Sequence, residues 1–244
     1  MHTFDLRNML DIRRFKIVFC LFFLMLGNAQ AQLFSKWAKQ HNPNYDNRFF
    51  SYGFQVSVHT TNYWVKYSDR FVTPKMDTVH SVVSQFRPGF IAGFLVNLRL
   101  GEFFDFRVTP QAGFYGLTLL YRYTNKATQS LLVESTLLEI PMLFKYKSER
   151  RGNVRMYMLG GVTPAFQLTG KYSASTSSAL DIAKENFALN TGLGFDFYYP
   201  FFKLSVEARF SRGVANMLKS QNGAFAAPIT SLYTNTFAVY FIFQ

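Results

Sequence analysis

Residues 202–211 read Phe-Lys-Leu-Ser-Val-Glu-Ala-Arg-Phe-Ser, and apolar and polar side chains alternate along the whole stretch. Successive side chains of a β-strand point to opposite faces, so a strand separates the two sets, whereas a helix would mix them around its circumference. The C-terminal stretch follows the same rule, because Phe237, Val239, Phe241 and Phe243 share one face. Both stretches are therefore predicted to be β-strands with one apolar face and one polar face.

The same two-residue period predicts eight antiparallel strands along the chain. The expected strands cover approximately residues 49–60, 86–100, 103–123, 131–147, 154–169, 186–199, 201–214 and 231–244. Tight turns and longer polar loops alternate between them. An even number of antiparallel strands joined in this way is typical of bacterial outer-membrane β-barrels, whose short turns are periplasmic. Each stretch is also long enough to cross a bilayer while tilted. The predicted fold class is all-β, an eight-stranded antiparallel transmembrane barrel.

The composition excludes several other classes of protein. The chain has 244 residues, of which 49% are hydrophobic, 18% aromatic and only 16% charged. Soluble domains carry roughly a quarter of charged residues, and disordered chains are poor in aromatic residues. No run of about 18 apolar residues is present to predict a transmembrane helix. The single cysteine, Cys20, cannot form an internal disulfide or a cysteine metal site, and we expect no cofactor and no metal.

The N-terminus has the pattern of an export signal. Arg13, Arg14 and Lys16 form a basic region, residues 17–26 form a short apolar region, and residues 29–31 read Ala-Gln-Ala, a typical cleavage site. Together with the strand pattern, this predicts three parts: a signal peptide at residues 1–31, a periplasmic N-terminal segment at 32–48 and an outer-membrane barrel at 49–244.

The formal net charge is +12, which in another compartment could indicate nucleic acid as a partner. An exported chain is not expected to meet nucleic acid. Its basic groups are instead expected to lie against anionic lipid headgroups, phosphorylated lipopolysaccharide or acidic protein partners in the outer membrane.

A lipocalin-type barrel would show the same alternation with its apolar side inside. Two features indicate instead that the apolar faces of this barrel point outward. The chain ends on an apolar strand, residues 240–244, which resembles the C-terminal signal of outer-membrane proteins. Aromatic residues gather at the strand ends on the short-turn side, as in an interfacial girdle. This girdle is expected to contain Phe49, Phe103, Phe104, Tyr146, Tyr198, Tyr199, Phe201, Phe202 and Phe243.

The polar faces then place charged residues in the lumen. The expected set is Arg99, Asp105, Arg107, Glu139, Lys145, Asp196, Lys203, Glu207 and Arg209. Eight strands enclose only enough space for side chains, and a buried ion needs a partner. An ion or proton path is one interpretation of this set. The favoured interpretation is a network of structural ion pairs, with Glu207 and Arg209 near Asp196.

Candidate catalytic residues are few. Ser57 and His59 share a face of the first strand, and some eight-stranded outer-membrane barrels modify lipid A with serine, histidine and a carboxylate. No partner carboxylate is identifiable here, so we assign no catalytic, cofactor-binding or metal-binding residue. His80 is expected in a loop and His41 in solvent. Bends or bulges are expected at Gly89, Gly93, Pro110, Gly113, Pro141, Gly160, Gly161 and Pro164.

Residues 138–146 read Leu-Glu-Ile-Pro-Met-Leu-Phe-Lys-Tyr, which resembles the L-E-I-P-x-L-x-K-Y strand of the PorT-like outer-membrane barrels of Bacteroidetes. Residues 87–93 and 160–166 are similar to neighbouring strands of that family. The resemblance covers nearly all of the mature chain. It implies a non-enzymatic role in type IX secretion of cargo such as gingipain-type proteases, with other type IX components as partners. The family has no established active-site residues to transfer.

Basic residues cluster at the short-turn end of the expected barrel. They are Lys145, Lys147, Arg150, Arg151 and Arg155, with Lys36, Lys39 and Arg48 ahead of the first strand. They could form a docking surface for an acidic partner or a solvated rim beside lipid phosphates. For the whole protein, the alternatives to a secretion role are a lipid A-modifying enzyme and a purely structural barrel.

Overall fold

A computed structural model of the chain describes residues 41–68, 79–123, 129–173, 183–219 and 228–244. The expected signal peptide lies outside these residues, as do Lys36 and Lys39. In the described ranges, no helix is long and apolar enough to cross a membrane.

The described chain consists of one short 3-10 turn and eleven β-strands. In chain order they are η1 (Tyr45–Asn47), β1 (Phe50–Tyr67), β2 (Val79–Gln85), β3 (Arg87–Arg99), β4 (Phe104–Val108), β5 (Gln111–Tyr123), β6 (Gln129–Glu139), β7 (Met142–Lys147), β8 (Val154–Ser173), β9 (Glu185–Tyr198), β10 (Lys203–Gly213) and β11 (Ile229–Phe243).

These strands form one antiparallel sheet that closes into a ring of eight membrane-crossing strands. Three of the eight are each divided in two: β2 and β3 at Phe86, β4 and β5 at 109–110, and β6 and β7 at 140–141. The ring closes where β1 pairs with β11, starting with Phe54 opposite Phe243. The predicted eight-stranded antiparallel barrel is confirmed.

Prolines explain two of the three divisions. Proline has no backbone N–H and interrupts a ladder of hydrogen bonds. The strand breaks at Pro110 and Pro141, which confirms the bends predicted there, whereas Pro164 stays inside the continuous β8. The carbonyl groups of the three prolines remain paired with the neighbouring strand, accepting from the N–H groups of Phe94 at 3.0 Å, Thr109 at 3.0 Å and Ile140 at 3.1 Å respectively.

Several strands extend further at the long-loop end than the sequence pattern predicted. β1 continues to Tyr67 instead of ending near residue 60, and β8 continues to Ser173. His80, expected in a loop, lies in β2. The reason is that backbone pairing continues beyond the bilayer, where both faces of a strand can be polar, so the apolar alternation stops before the strand does.

The two faces of the sheet are as expected: aromatic residues cover the outside, and polar residues fill the inside. Phe201 is 97% exposed and Tyr52 is 82% exposed, whereas Ser205 and Glu207 are fully buried. One residue of the predicted girdle is misplaced. Tyr198 is buried in the lumen, because it shares the face of Asp196 on β9.

Two adjacent glycines on β8 give a test of this packing. A Cβ atom added at Gly161 would lie 2.1 Å from the carbonyl oxygen of Met142, whereas one at Gly160 would lie 3.8 Å from its nearest neighbour, the carbonyl oxygen of Asn190. We expect Gly161→Ala to destabilise the barrel by about 1–3 kcal/mol through overpacking, and Gly160→Ala to be tolerated. The measurement is the temperature at which the folded barrel loses its fast-migrating band on a gel. Equal unfolding temperatures for the two variants would contradict the prediction.

Candidate functional site

The centre of the lumen is occupied by a carboxylate shared between two guanidinium groups. Glu207 on β10 accepts a hydrogen bond from Nη1 of Arg107 at 2.8 Å and forms an ion pair with Arg209 two residues further along the same strand face. The hydroxyl of Tyr157 donates to the same carboxylate at 2.8 Å. All four side chains are buried. The alternation of β10 places residues 207 and 209 in the lumen, as predicted.

A second cluster lies around Asp196 on β9. Nζ of Lys145 is 2.7 Å from one carboxylate oxygen, and Oγ of Ser205 donates to the other at 2.5 Å. The ammonium group of Lys145 also lies 3.5 Å from the centre of the Tyr157 ring. Tyr157 therefore touches both clusters, with its hydroxyl on Glu207 and its ring against Lys145.

Two further carboxylates complete the interior. Asp105 pairs with Nζ of Lys147 at 2.5 Å. Glu139 has no cationic partner. Its carboxylate accepts hydrogen bonds from two neutral groups, the hydroxyl of Tyr115 at 2.6 Å and Nε2 of Gln111 at 2.5 Å. The lumen is therefore filled by buried polar groups, many of which bond to one another. Among the described residues, Nε and Nη2 of Arg107 and Nη1 of Arg209 are buried without a hydrogen-bond partner.

The prediction of a lumenal ion-pair network is confirmed for six of the nine residues and is wrong in one pairing. The six are Asp105, Arg107, Lys145, Asp196, Glu207 and Arg209. Among the described residues, Glu139 and Lys203 are buried but form no ion pair. Eight of the nine predicted charged residues are buried, and Arg99 lies at the periplasmic mouth, where Nε donates to the carbonyl of Gly101 at 3.2 Å. Asp196 was expected near Glu207 and Arg209, but its partner is Lys145. The facing direction follows from alternation along one strand, whereas this pairing depends on the stagger of β7 and β9, which lie on either side of β8.

The segment ahead of β1 closes the periplasmic end of the lumen. The carboxylate of Asp46 in η1 lies 3.0 Å from Nη1 of Arg155 and 3.6 Å from Nη1 of Arg150, and it accepts a hydrogen bond from the hydroxyl of Tyr198 at 2.8 Å. The Arg150 guanidinium also stacks on the Tyr198 ring, 3.7 Å from its centre. One carboxylate therefore ties the N-terminal segment to two positions of the barrel wall.

Tyr45 lies beside Asp46 in the same closure. The ammonium group of Lys203 is 4.7 Å from the centre of the Tyr45 ring, and the ring meets Tyr198 edge-on at 5.9 Å. Burial raises the pKa of the Tyr45 phenol to about 12. The segment is therefore docked with this phenol neutral.

His41 is not simply solvated, as the sequence suggested, but anchored to the barrel. Its backbone N–H donates to Oδ1 of Asn153 at 3.2 Å, and its Nδ1 lies 3.2 Å from the carbonyl oxygen of Tyr198. Its own carbonyl accepts a hydrogen bond from Arg150. No pattern in the sequence of this polar segment signals these contacts.

The prediction of an exposed basic docking surface is wrong for four of the five residues around the turn. Lys145, Lys147, Arg150 and Arg155 are all buried, and within the described part of this cluster only Arg151 and Arg48 are exposed. Their charges are neutralised inside the barrel by Asp196, Asp105 and Asp46. A basic sequence stretch next to a membrane therefore does not correspond here to a basic surface.

Ser57 and His59 both face the lumen, as predicted, but they do not form a nucleophile–base pair. Nε2 of His59 lies 3.2 Å from the carbonyl oxygen of Phe114 and must donate to it, so Nδ1 accepts from the hydroxyl of Thr61 at 3.1 Å. The Ser57 hydroxyl donates to the carbonyl of Val58 at 3.3 Å. Both ring nitrogens of His59 are thus engaged with other groups.

The outer half of the lumen contains one small cavity, bounded by Glu139, Arg209 and Tyr240 at its inner end and by Met217 and Thr234 further out. The volume in which the centre of a water molecule fits is about 60 Å³, so the cavity can hold a few waters. Among residues 41–68, 79–123, 129–173, 183–219 and 228–244, no group of three or more His, Cys, Asp or Glu side chains is placed to hold a metal ion.

The comparison with protein families gives a match over most of the chain. The family described as "Outer membrane protein beta-barrel domain" matches residues 30–219. The chain belongs to this family. This outer-membrane β-barrel protein is therefore located in the outer membrane, as the sequence predicted. Comparison with curated proteins finds no match.

Solved outer-membrane proteins are similar to the barrel at low identity. OprG from Pseudomonas aeruginosa is 10% identical, with a TM-score of 0.42, and the alignment covers 78% of this chain and 93% of OprG. Neisserial surface protein A is 13% identical, with a TM-score of 0.39 and coverage of 80% and 98%. Ail of Yersinia pestis is 10% identical, with a TM-score of 0.38 and coverage of 79% and 96%.

Substitution of Glu207, the carboxylate shared by two arginines in the lumen, is expected to lower the stability of the barrel strongly. Glu207→Gln removes the negative charge and leaves Arg107 and Arg209 buried without it, so we expect a loss of about 3–5 kcal/mol of unfolding free energy. The gel-shift unfolding temperature should fall. Glu185→Gln, at an exposed position of β9, is the matched control and should change little. An unchanged unfolding temperature for Glu207→Gln would show that the network does not stabilise the barrel.

Asp46→Ala tests the periplasmic closure. The substitution removes the partner of Arg150, Arg155 and Tyr198, and we expect it to weaken docking of the segment by about 1–3 kcal/mol. Amide hydrogen exchange of residues 41–48 should accelerate while the β-strands keep their protection. Glu102→Ala, an exposed carboxylate in a turn of the same rim, is the control. Equal exchange in both variants would mean that Asp46 does not hold the segment.

Proposed function

We propose that this outer-membrane barrel is a non-enzymatic component of type IX secretion that resembles PorT. In this role it serves the transport and maturation of cargo with C-terminal sorting domains, such as gingipain-type proteases. The proposal is supported by the L-E-I-P strand at residues 138–146, by the length and basic balance of the chain, and by the resemblance of residues 32–54 to PorT.

The residues of this motif have identifiable places in the barrel. Glu139 and Lys145 both face the lumen and bond to Tyr115 and Asp196 respectively. Pro141 separates β6 from β7, and Tyr146 faces lipid at the periplasmic end. The motif residues thus contribute side chains to the lumen and a break between two strands. The resemblance of this motif to that of PorT-like barrels supports a shared architecture. The partner-binding residues of such a barrel would lie elsewhere, on its rims and loops.

The filled lumen supports an accessory role, in which cargo does not pass through this barrel. Glu207 is paired across the bore with Arg107, Asp196 and Asp105 are paired along the wall with Lys145 and Lys147, and η1 covers the periplasmic mouth. Eight strands leave no room for a polypeptide beside these side chains. The barrel therefore supports secretion by contacting other components of the machinery, and cargo passes through another protein.

Two other roles remain as outcomes of the test. A lipid A-modifying enzyme would need a nucleophile and a base in contact, and His59 bonds to Phe114 and Thr61 instead of Ser57. A purely structural barrel is compatible with the family and the fold. The two differ from the secretion role in what a gene deletion would change.

The decisive experiment deletes the gene in its native host and restores it from a plasmid. We expect cargo precursors with their sorting domains to accumulate inside the deletion strain and secretion to return with the wild-type gene. Normal secretion with a leaky envelope would instead indicate a structural barrel, and altered acylation of lipid A would indicate an enzyme. Either result overturns the proposal.

The accessory role also predicts the electrical behaviour of the purified protein. Because the bore is filled, the refolded barrel should form no large steady pore in a planar bilayer. Current recordings across a range of voltages check this. Stable openings wide enough for a folded protein would show that the chain is itself the conduit.

A further inference from the structure

The outward face of three neighbouring strands changes from apolar to polar at one level near the long-loop end. The strands are β10, β11 and β1, which pair in this order. Phe210 lies opposite Phe237, and both rings are about half exposed. Two residues further along β10, Arg212 lies opposite Asn235, which in turn lies opposite Asn62 of β1. A row of three polar outward residues thus follows the apolar band.

This polar row marks the outer edge of the hydrocarbon region. The next outward residues beyond it are Trp64 and Tyr233, which lie opposite each other with their ring centres 5.9 Å apart. Tryptophan and tyrosine favour the interface between acyl chains and headgroups. The row is on the long-loop side, which faces the cell exterior in barrels of this type. The lipid at this level is therefore that of the exterior leaflet, which is lipopolysaccharide anchored by phosphorylated lipid A.

Two cations stand at this level of the outward face. The guanidinium group of Arg212 reaches across β11 to lie over the Trp64 ring, with its carbon 4.7 Å from the ring centre. Lys66 is the next outward residue after Trp64 on β1, which places its Cα about 7 Å further along the strand. Both side chains are exposed, and among the described residues neither side chain forms an ion pair or a hydrogen bond. The two charges are available to an anion.

The same three strands carry no negative charge on their outward faces. β1 and β11 contain no Asp or Glu, and the only acidic residue of β10 is Glu207, which is buried in the lumen. On the neighbouring strand β9, the outward residue Glu185 lies about 13 Å beyond Leu189, the register partner of Arg212. Arg212 leans away from β9, toward Trp64. An anion above the Trp64 ring therefore meets cations without an opposing carboxylate from these three strands.

We propose that Arg212 and Lys66 form a binding site for a phosphate group of lipid A in the exterior leaflet. Trp64 holds the guanidinium group by its face, which leaves the N–H groups at its edge to bond phosphate oxygens. The ammonium group of Lys66 adds a second charge. The acyl chains of the same lipid lie against Phe210 and Phe237. A lipid fits this surface because its apolar and anionic parts follow the order of the rings and the cations. The inference does not rest on the secretion role.

Single substitutions separate the two cations from the ring that positions one of them. Arg212→Gln and Lys66→Gln each remove one charge at an exposed position. Trp64→Leu removes the aromatic face under the guanidinium group, whereas Trp64→Phe keeps a ring there. Arg122→Gln is the matched control, because Arg122 is an exposed cation near the same end of the barrel on β5, which pairs with none of the three strands.

The test is native mass spectrometry of the folded barrel in detergent. The protein is titrated separately with diphosphorylated lipid A, with the same lipid A after removal of its phosphates, and with inorganic phosphate. The wild type and Arg122→Gln should retain one diphosphorylated lipid A, with about tenfold or more preference over the dephosphorylated form. Arg212→Gln, Lys66→Gln and Trp64→Leu should each remove most of this preference, and Trp64→Phe should keep most of it. Inorganic phosphate, which lacks acyl chains for the apolar band, should not bind at the same concentrations.

Equal affinity of the wild type for the two forms of lipid A would overturn the phosphate site. An equal loss in Arg122→Gln and Arg212→Gln would also overturn it, since the lipid would then be attracted by any exposed cation. Binding of inorganic phosphate as tight as that of lipid A would overturn the assignment to a lipid. Should Trp64→Leu lack the heat-sensitive folded band, the glutamine variants decide: a preference that survives in both overturns the proposal. None of these outcomes depends on whether the host secretes its cargo.

Discussion

The structure depends on the requirement that every charge inside an eight-stranded barrel finds a partner. Eight strands leave no water-filled bore in which a carboxylate could stay hydrated, so Glu207 is stabilised only by the groups that touch it. One partner, Arg107, comes from β4 on the opposite side of the ring, and another, Tyr157, comes from β8, which is separated from β10 by β9. The network therefore connects the wall across the lumen, in addition to the backbone ladders around it.

The same chemistry extends beyond the barrel to the segment that precedes it. Asp46 supplies a carboxylate to Arg150 and Arg155, which would otherwise be buried at the mouth without one. The N-terminal segment therefore supplies the polar groups that complete the periplasmic end of the lumen. Most of the basic residues of this region are neutralised by the interior, which explains why a chain with a net charge of +12 has few exposed cations on the described part of its short-turn rim.

Alternation in the sequence was sufficient to predict the fold and the direction of nearly every lumenal charge, because a strand fixes which side chains share a face. It also contained signals that were missed: Tyr198 shares the face of Asp196, and Lys147 shares the face of Lys145. It could not give the partner of Asp196, since the contact with Lys145 depends on the stagger of strands that are far apart in sequence. The docking of His41 depends on tertiary contacts alone and has no periodic signature.

The backbone ladder of the wall is interrupted between residues 86–89 and residues 115–117, which lie between the β2–β5 and β3–β5 ladders. This break is compatible with a stable barrel because the interior seals it. His59 donates to the carbonyl of Phe114 beside the break, and its ring lies 4.3 Å from that of Tyr115. Gly89 permits this arrangement, since a Cβ atom there would lie 2.3 Å from the His59 ring. Tyr115 is in turn held by Glu139. Backbone hydrogen bonds lost from the wall at this break are thus compensated by contacts among side chains of the lumen.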